Sequence, residues 1–383
     1  PIFQEQVIKL AMVAAGFSPG EADQLRRAMA AWKRRGGLEP YRERLMSGMR
    51  ARGYPEAFAE RIYRQILGFG DYGFPESHSA SFALLAYASA WLKHHEPAAF
   101  CAALINSQPM GFYQPAQLVR DAQQHGVEAL PADVLHSAWD CTLEPDADNK
   151  PRLRLGLCLV AGLSQDGGRH IEQARADAMF IDLNDFTQRC RLDRGDLKAL
   201  AAADALRQLC GDRHQAAWEI AGVEKSTPLL EQPHFQEQTP DLFAPTTGQD
   251  VLADYTHLGL SLRAHPLSLI RQQLQQRGFL PATEIAQRAE DQWVRAAGLV
   301  LIRQRPGNGR AVFITLEDET GQLNLLIWAD LAERQRQILL GAGLLGVTAQ
   351  IQRAEGVQHL MVKQLEDHSD LLGELKVRSR DFQ

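Results

Sequence analysis

Apolar residues recur at helical spacing through the first hundred residues of the chain. Ser18, Pro19 and Glu21 supply an N-cap, a proline at N1 and an acidic first turn, and they predict a helix over Ala22–Lys33. Gly36 and Gly37 follow it as a stop signal. Two further amphipathic patterns, Tyr54–Leu67 and the apolar stretch Leu84–Leu92, predict more helices, and Pro97 opens another that is expected to end near Asn106.

The pattern changes after residue 127. Two short alternating runs, Trp139–Leu143 and Leu153–Val160, flank the turn-forming stretch Glu144–Lys150 and predict a β-hairpin. Helical spacing returns from Gly168 to Val223. Residues 225–250 are rich in Pro, Gln, Thr and Gly, have little periodicity, and are therefore predicted to form a linker.

The last hundred residues are the most strand-like. After a predicted helix over Pro266–Arg277, the order of elements is strand, strand, strand, helix, strand, strand. This order is typical of an OB-type barrel, a fold that commonly binds single strands. The predicted strands are Val294–Leu301, Ala311–Glu317, Leu323–Trp328, Leu344–Gln352 and Gln358–Gln364, with a helix over Asp330–Leu340.

These patterns predict a multidomain α+β protein that is mostly helical and ends in a β-barrel. The predicted boundaries are 1–126 for the first helical domain, 127–224 for the hairpin and following helices, 225–250 for the linker, 251–290 for a connecting helical segment, 291–368 for the barrel and 369–383 for a tail. A length of 383 residues suits two to four domains.

Composition excludes some classes of protein. No apolar run reaches the roughly 20 residues of a membrane span, so no membrane partner is expected. Five scattered cysteines without a C-x-x-C pair argue against a disulfide framework or a zinc site and favour a reducing cytoplasm. The chain opens with Pro1 rather than a methionine or a secretory signal, which suggests that it starts inside a longer protein.

Net charge of −6 weakens a nucleic-acid role without removing it, because local basic strips neutralise phosphates. One strip includes Arg26, Arg27 and Lys33 at the first predicted helix. It lies in Asp23-Gln24-Leu25-Arg26-Arg27-Ala28-Met29, which resembles the fingers signature D-x-L-R-R-A-M of bacterial polymerase III α subunits. Adjacent arginines near a helix start suit a triphosphate, so the resemblance implies contacts to an incoming deoxynucleoside triphosphate. A solvated basic helix face is the alternative.

A second motif, Phe69-Gly70-Asp71-Tyr72-Gly73-Phe74-Pro75-Glu76-Ser77-His78, resembles the F-x-x-Y-G-F-N-K-S-H motif of the same family. The resemblance places Tyr72 and His78 against the base and sugar of the nucleotide; an aromatic pair that stabilises a turn is the alternative. Pro75 and Glu76 replace the Asn-Lys of replicative members. This form resembles the error-prone, damage-inducible branch and implies translesion synthesis, and restoring Asn-Lys is expected to change fidelity.

Two segments resemble the DNA-binding elements of C-family polymerases. Gly156 to Leu163, followed by Ile171-Glu172-Gln173-Ala174-Arg175, is similar to a helix-hairpin-helix unit, in which the backbone at Gly162 faces duplex phosphates; a second unit is expected at Leu192–Gly211. In the barrel, Leu301-Ile302-Arg303-Gln304-Arg305-Pro306-Gly307 and Phe313–Thr320 resemble the family's OB segment. The resemblance implies single-strand contacts by Arg303, Arg305, Arg310 and Trp328, with a core position as the alternative for the aromatic residues.

Gln238-Thr239-Pro240-Asp241-Leu242-Phe243 resembles a sliding-clamp-binding peptide. Gln238, Leu242 and Phe243 would contact the clamp, although the spacing is one residue longer than the common pentapeptide. A linker that docks Leu242 and Phe243 on its own chain is the alternative. Damage-response accessory proteins are further expected partners.

The family's catalytic metals are bound by palm aspartates that precede the fingers. No D-x-D counterpart occurs here, so Mg²⁺ is expected for the full-length polymerase and no metal or catalytic residue for this chain. The expected function is DNA binding and nucleotide positioning for a DNA-directed DNA polymerase, with primer–template and single-stranded DNA as partners. A non-enzymatic DNA-binding scaffold in repair and a helical interaction protein with an appended barrel are the alternatives.

Overall fold

The computed structural model describes residues 3–35, 39–69, 76–110, 113–223, 242–306, 310–354, 356–373 and 380–382. The chain divides into two units, Pro1–Glu96 and Pro97–Gln383. The division precedes the expected boundary at residue 126, because the helices after Pro97 bury Cys101, Ile105 and Val119 in the core of the second unit.

Helices account for the first unit in the part of the chain that the structure describes. They are α1 (Gln4–Ala15), α2 (Pro19–Arg35), α3 (Glu39–Ala51), α4 (Glu56–Phe69) and α5 (Glu76–His95). The helix expected from Ala22 begins at Pro19, where Ser18 provides the cap. Val7, Leu45, Met49 and Ile66 are buried between α1 and α4. None of the residues of α5 is buried, although it carries Leu84, Tyr87 and Trp91.

The second unit begins with two helices and a small sheet. The elements are α6 (Pro97–Asn106), α7 (Pro115–Gln124), β1 (Ala129–Leu130), β2 (Thr142–Pro145) and β3 (Pro151–Arg154). Strands β2 and β3 form the expected antiparallel hairpin, and β1 pairs with β3 in parallel. The second strand of the hairpin ends at Arg154, earlier than predicted, since a 3₁₀ turn follows at Leu157–Leu159.

Five helices follow the hairpin and share one core with α6 and α7. They are α8 (Gln165–Asp177), α9 (Leu183–Cys190), α10 (Arg194–Ala202), α11 (Arg207–Cys210) and α12 (Arg213–Ala221). The core contains Leu155, Ile171, Phe186 and Leu206, all fully buried. This part of the chain, residues 97–223, is called the hairpin module below.

Three helices connect the hairpin module to the barrel. They are α13 (Thr247–His257), α14 (Pro266–Gln276) and α15 (Ala282–Gln287). Thr246 caps α13 through Gln249, so this helix starts inside the stretch expected to be linker. Residues 224–241 of that stretch lie outside the described residues. Leu267 and Leu274 of α14 pack on the barrel residues Leu299 and Leu344.

The C-terminal part is a closed barrel. Its elements are β4 (Trp293–Gln304), β5 (Ala311–Glu317), β6 (Gln322–Trp328), α16 (Ala329–Arg334), α17 (Arg336–Gly341), β7 (Leu344–Ala354) and β8 (Val357–Asp367), with β9 (Arg380–Phe382) added beside β4. The order β5-β6-β8-β7-β4 closes through the β4–β5 pairing. The OB-type order is confirmed, while the single predicted helix is divided at Gln335. No described helix is long and apolar enough to span a membrane.

Candidate nucleic-acid interface

The two adjacent arginines in the middle of α2 are both bound to one carboxylate. Asp23 accepts hydrogen bonds from Arg26 Nε and Arg27 Nε, each at 2.9 Å. Arg26, and then the charge of Arg27, keep the pKa of Asp23 below its usual range despite the opposing desolvation. Because positions 23, 26 and 27 share one helix face, Asp23 holds the two guanidinium groups side by side. Lys33 lies on the same helix, but its side chain is outside the description.

A capping box fixes the start of α2. Ser18 N donates to Glu21 Oε2 at 2.7 Å, and Glu21 N donates back to Ser18 Oγ at 3.2 Å. Arg44 of α3 donates to Glu21 Oε1 and to the carbonyl of Gly16. The backbone hydrogen bond from Ser18 and then the bond from Arg44 lower the pKa of Glu21 from 4.5 to about 2. The cap therefore needs an ionised Glu21.

Acid is expected to loosen this cap. Because the folded-state pKa of Glu21 is depressed, its stabilising effect is complete above the unfolded value of 4.5 and is lost as the pH falls through about 2. Glu21→Gln is expected to lower the Tm of the 1–96 unit at pH 7 and to flatten its pH dependence between pH 5 and 2, as followed by circular dichroism. Glu56→Gln, which removes an exposed pair with Arg50, is the control and should change little. If the Tm of the wild type and of Glu21→Gln depends on pH in the same way, ionised Glu21 does not stabilise the start of α2.

The second motif is only partly described. Tyr72 lies in residues 70–75, outside the described part of the chain. His78 lies in the first turns of α5, is exposed, and its ring centroid is 4.2 Å from that of Phe82. His78 is thus placed on a surface, one turn from an exposed aromatic residue.

The turn between the 3₁₀ segment and α8 has the geometry of a hairpin. Gly162 has a φ of +89°, which strongly favours glycine, and it is exposed. The neighbouring amide, Ala161 N, donates to the carbonyl of His257 at 2.8 Å. Ser164 caps α8 and is itself held by Asp196 of α10 at 2.8 Å. Within the described residues, no backbone acceptor is recorded for the Gly162 N–H, and the residue is exposed.

Sequence reasoning missed basic side chains beside this turn. A Cβ on Gly162 would lie 3.8 Å from Cβ of Ala199, so α10 passes directly beside the hairpin. Lys198 and Arg194, one turn apart on α10, are exposed. The signal that would have found them is helical spacing, because positions 194 and 198 share a face, but the proximity of α10 to Gly162 is a tertiary contact.

Adding a methyl group at Gly162 tests the turn. Gly162→Ala is expected to cost about 1–2 kcal/mol of stability because an L-residue is strained at this φ, and to weaken binding of duplex DNA. Fluorescence anisotropy and thermal unfolding measure the two effects. Gly222→Ala is the matched control, since Gly222 has a φ of −82° and its added Cβ would meet only Glu219 O at 3.5 Å. Equal effects of the two variants would show that the Gly162 turn has no special role.

Arg303 does not lie where the sequence placed it. Its side chain is buried, and Nε and Nη2 donate to the carbonyls of Leu339 and Ala342, both at 2.6 Å. These carbonyls belong to the C-terminal end of α17, where a cation is favoured. A guanidinium enclosed in this way is a structural cap, and Arg303 is removed from the set of candidate DNA contacts.

The other barrel residues are on the surface. Trp328, at the end of β6, is 46% exposed, and it pairs in register with Ala311. Arg305 and Arg310 flank the β4–β5 loop and are exposed; Arg305 lies 3.9 Å from Glu333. Trp328 and Arg310 therefore lie at the same end of the β5–β6 pair, where Ala329 N donates to the carbonyl of Arg310 at 3.0 Å. Phe313 is half-buried on β5, in register with Leu326.

The proposed clamp peptide is described only at its end. Gln238 lies in residues 224–241, outside the described part. Leu242 is 36% exposed and Phe243 is 96% exposed, so the described chain does not bury this pair. The carbonyl of Phe243 is 3.0 Å from His214 Nδ1, and this contact holds the backbone while the phenyl ring faces solvent.

The described residues include no group of three His, Cys, Asp or Glu side chains arranged to hold a metal ion. The closest set of carboxylates, Asp204, Asp250 and Asp254, is paired with Arg213 and Arg263 instead. Because the two arginines already neutralise these carboxylates, the set does not fit a divalent cation.

Two family models match the chain. Residues 1–53 match the finger domain of the bacterial DNA polymerase III alpha subunit, and residues 126–216 match a helix-hairpin-helix motif. Over its whole length the chain is 56% identical to an error-prone DNA polymerase of Methylococcus capsulatus, 57% to one of Alkalilimnicola ehrlichii, and 53% to one of Pseudomonas savastanoi. This chain is homologous to the C-terminal part of the error-prone DNA polymerases.

The chain spans about 38% of the length of the error-prone DNA polymerases that it matches. Solved structures add nothing to this assignment: an asparaginyl-tRNA synthetase from Pyrococcus horikoshii, for example, matches 20% of the chain at 23% identity with a TM-score of 0.18. The residues matched by the finger and helix-hairpin-helix models include Arg26, Arg27 and Gly162, which were predicted from the sequence as site residues.

Proposed function

We propose that this chain is the DNA-handling and nucleotide-positioning part of an error-prone, DNA-directed DNA polymerase that acts in translesion synthesis after DNA damage. The observation that supports the proposal most directly is one end of the β5–β6 pair, where Trp328 and Arg310 are both exposed. Stacking surfaces next to cations are what a single strand needs. The matched finger domain, and relatives named for DNA synthesis, favour a polymerase over a non-enzymatic scaffold.

The barrel is proposed to bind the unpaired template. Trp328 supplies a stacking surface, and Arg305 and Arg310 neutralise phosphates on either side of the β4–β5 loop. Buried positions 323, 325 and 327 alternate with outward positions on β6, so the face is continuous along the strand.

The hairpin module is proposed to bind the primer–template duplex. The N–H of Gly162 donates to a phosphate oxygen, and Lys198 supplies the counter-charge from α10. Neither contact reads a base. Both are therefore suited to a polymerase that moves along DNA of any sequence.

The finger helix is proposed to position the incoming triphosphate. Arg26 and Arg27, aligned by Asp23, present neighbouring guanidinium groups, and Lys33, Tyr72 and His78 are the further proposed contacts. Palm aspartates and Mg²⁺ are expected only in the full-length polymerase, where the metal would supply electrostatic stabilisation of the triphosphate. This chain alone is expected to incorporate no nucleotide.

Recruitment is proposed to use the segment that ends at Phe243. Gln238, Leu242 and Phe243 would engage a sliding clamp, and the exposed phenyl ring of Phe243 suits an apolar pocket on a partner. Damage-response accessory proteins are proposed as further partners, and the cytoplasm as the location.

A salt series on single-stranded DNA tests the barrel. Replacing Arg305 and Arg310 with glutamine is expected to lower the slope of log K against log salt by about 1.4, since each lost phosphate contact removes about 0.7. Fluorescence anisotropy with labelled oligothymidine measures this slope. Arg334→Gln with Arg336→Gln, which removes two arginines of α16 and α17, is the control. If both double variants leave the slope unchanged, Arg305 and Arg310 do not contact the phosphates of the single strand.

A further inference from the structure

The acidic turn Glu317–Asp318–Glu319, which connects β5 to β6, faces inward. Glu317 is 6% exposed and Asp318 is 3% exposed. A carboxylate so deeply buried needs a partner, because an unpaired buried charge costs several kcal/mol. Apart from Gln322 of β6 and the turn's own amides, their hydrogen-bond and ion-pair partners come from outside the barrel strands.

Asp318 builds the turn and anchors the connecting segment to it. Its Oδ1 accepts from Thr320 N at 2.8 Å and Gly321 N at 2.9 Å, which closes the turn. Its Oδ2 accepts from Ala282 N at 2.8 Å and from Arg271 Nη2 at 3.1 Å. One carboxylate thus shapes the turn on one side and binds the segment between hairpin module and barrel on the other.

Arg271 of α14 binds two carboxylates of the turn. Besides Asp318, it donates from Nη2 to Glu319 Oε2 at 2.8 Å. Burial, the largest single influence, would raise the pKa of Glu319, but the hydrogen bonds from Arg271 and the backbone together with the charge of Arg271 outweigh it, and the pKa is lowered. Glu319 therefore remains ionised at neutral pH, and the fork of Arg271 stays engaged.

Glu317 makes a direct link to the hairpin module. It forms an ion pair with Arg120 of α7, whose neighbours Leu118 and Val119 lie in the core of that module. His265 Nε2 is 3.6 Å from Glu317 Oε1, and His265 Nδ1 accepts from Leu267 N. Because Nδ1 is an acceptor, the proton of a neutral ring is on Nε2 and faces Glu317.

The segment before α14 binds the hairpin module in the same way. Arg263, two residues before His265, pairs with Asp204 of the hairpin module, and it also donates to Asp254 Oδ2 of α13 at 3.1 Å. Arg213 of α12 pairs with Asp250 and Asp254. Residues 263–271 therefore carry ion pairs to the hairpin module at one end and to the barrel at the other.

We propose that the Glu317–Glu319 turn is a docking joint that fixes the barrel on the hairpin module, with Arg120, His265 and Arg271 as positioning residues. The inference rests on the proposed function: the joint holds the single-strand face of the barrel at a set distance from the duplex site at Gly162. Two sites held in this way act on one DNA molecule as a linked pair, so their combined affinity exceeds that of either alone.

The experiment uses Arg120→Met in the full chain, with three DNAs of duplex, single-stranded and primer–template form. The expected result is a primer–template affinity at least about tenfold lower, while duplex and single-strand affinities change less than about twofold. Arg189→Met is the matched control, because the Arg189 side chain is 25% exposed, against 26% for Arg120, and pairs with Asp185 at 3.0 Å within α9. It should leave all three affinities unchanged. Arg120→Lys, which keeps the charge, should recover part of the loss.

A distance measurement separates the joint from the DNA-binding proposal. Spin labels at Lys198 and Lys363, both exposed, report the distance from hairpin module to barrel without DNA. Arg120→Met is expected to broaden this distance distribution, and an unchanged distribution would overturn the joint. Equal losses on all three DNAs would overturn it as well. In another outcome, the wild-type protein binds no DNA and still shows a narrow distance distribution that Arg120→Met broadens. That result would refute the proposed function and leave the docking joint supported.

Discussion

Replacing Arg213 with leucine is expected to lower the free energy of unfolding of the second unit by about 3–5 kcal/mol, the usual result of removing one member of a buried ion pair. The Arg213 side chain is 6% exposed and forms pairs with Asp250 at 2.8 Å and with Asp254. It also donates to the carbonyl of Ala202. Without the guanidinium, Asp250 and Asp254 remain buried, and among the described residues Arg263 is the one cation left to pair with them.

Urea unfolding followed by tryptophan fluorescence measures this loss. Arg207→Leu is the matched control, because Arg207 pairs with Asp204 at 2.9 Å but its side chain is 54% exposed. Removal of such an exposed pair is expected to cost less than about 1 kcal/mol. If the two variants lose the same free energy of unfolding, the burial of the Arg213 ion pairs does not make them more important for stability than an exposed pair.

Trp328→Ala is expected to weaken single-strand binding by about 1–3 kcal/mol, or roughly 5- to 150-fold, because stacking on an exposed ring is lost. The salt slope should stay the same, since an uncharged side chain releases no counterion. Loss of affinity without a change of slope separates the tryptophan from Arg305 and Arg310, which are expected to change the slope. Anisotropy titrations with labelled oligothymidine at several salt concentrations measure both quantities.

Trp293 provides the control for this substitution. It is 58% exposed and lies at the start of β4. Trp328 pairs with the start of β5, and the start of β5 pairs with the end of β4. The length of β4 separates the two ends by roughly 36 Å at the usual rise of a strand. Trp293→Ala should leave the affinity unchanged, and an equal loss in both variants would mean that neither ring marks a specific site.

Local pattern predicted the elements well where local chemistry fixes them. The helix Pro97–Asn106 and the strand Ala311–Glu317 have the predicted bounds. The predicted Leu153–Val160 strand was too long, because Gly156 packs on the backbone at Trp139 and Cys141, where a Cβ would lie within 2.6 Å. That close approach depends on a segment more than a dozen residues away, which periodicity does not include.

The candidate site was predicted in part for the same reason. Gly162 was predicted as a DNA contact, and that prediction stands; its positive φ agrees with a glycine placed between two helical segments. Arg303 and Arg305 looked equivalent, yet only Arg305 is exposed. A register shift between Val300 and Ile302 interrupts the alternation of β4, and α17 brings its carbonyls over Arg303.

The sequence by itself determined the order of elements, the capping of α2 at Ser18 and Glu21, and the family likeness of the finger and hairpin segments. These depend on neighbours within a few residues or on motifs read in order. The tertiary structure alone decided that Glu317 and Asp318 face Arg120 and Arg271 rather than DNA. A carboxylate on a turn looks solvated in sequence, and only packing shows whether water or a guanidinium stabilises its charge.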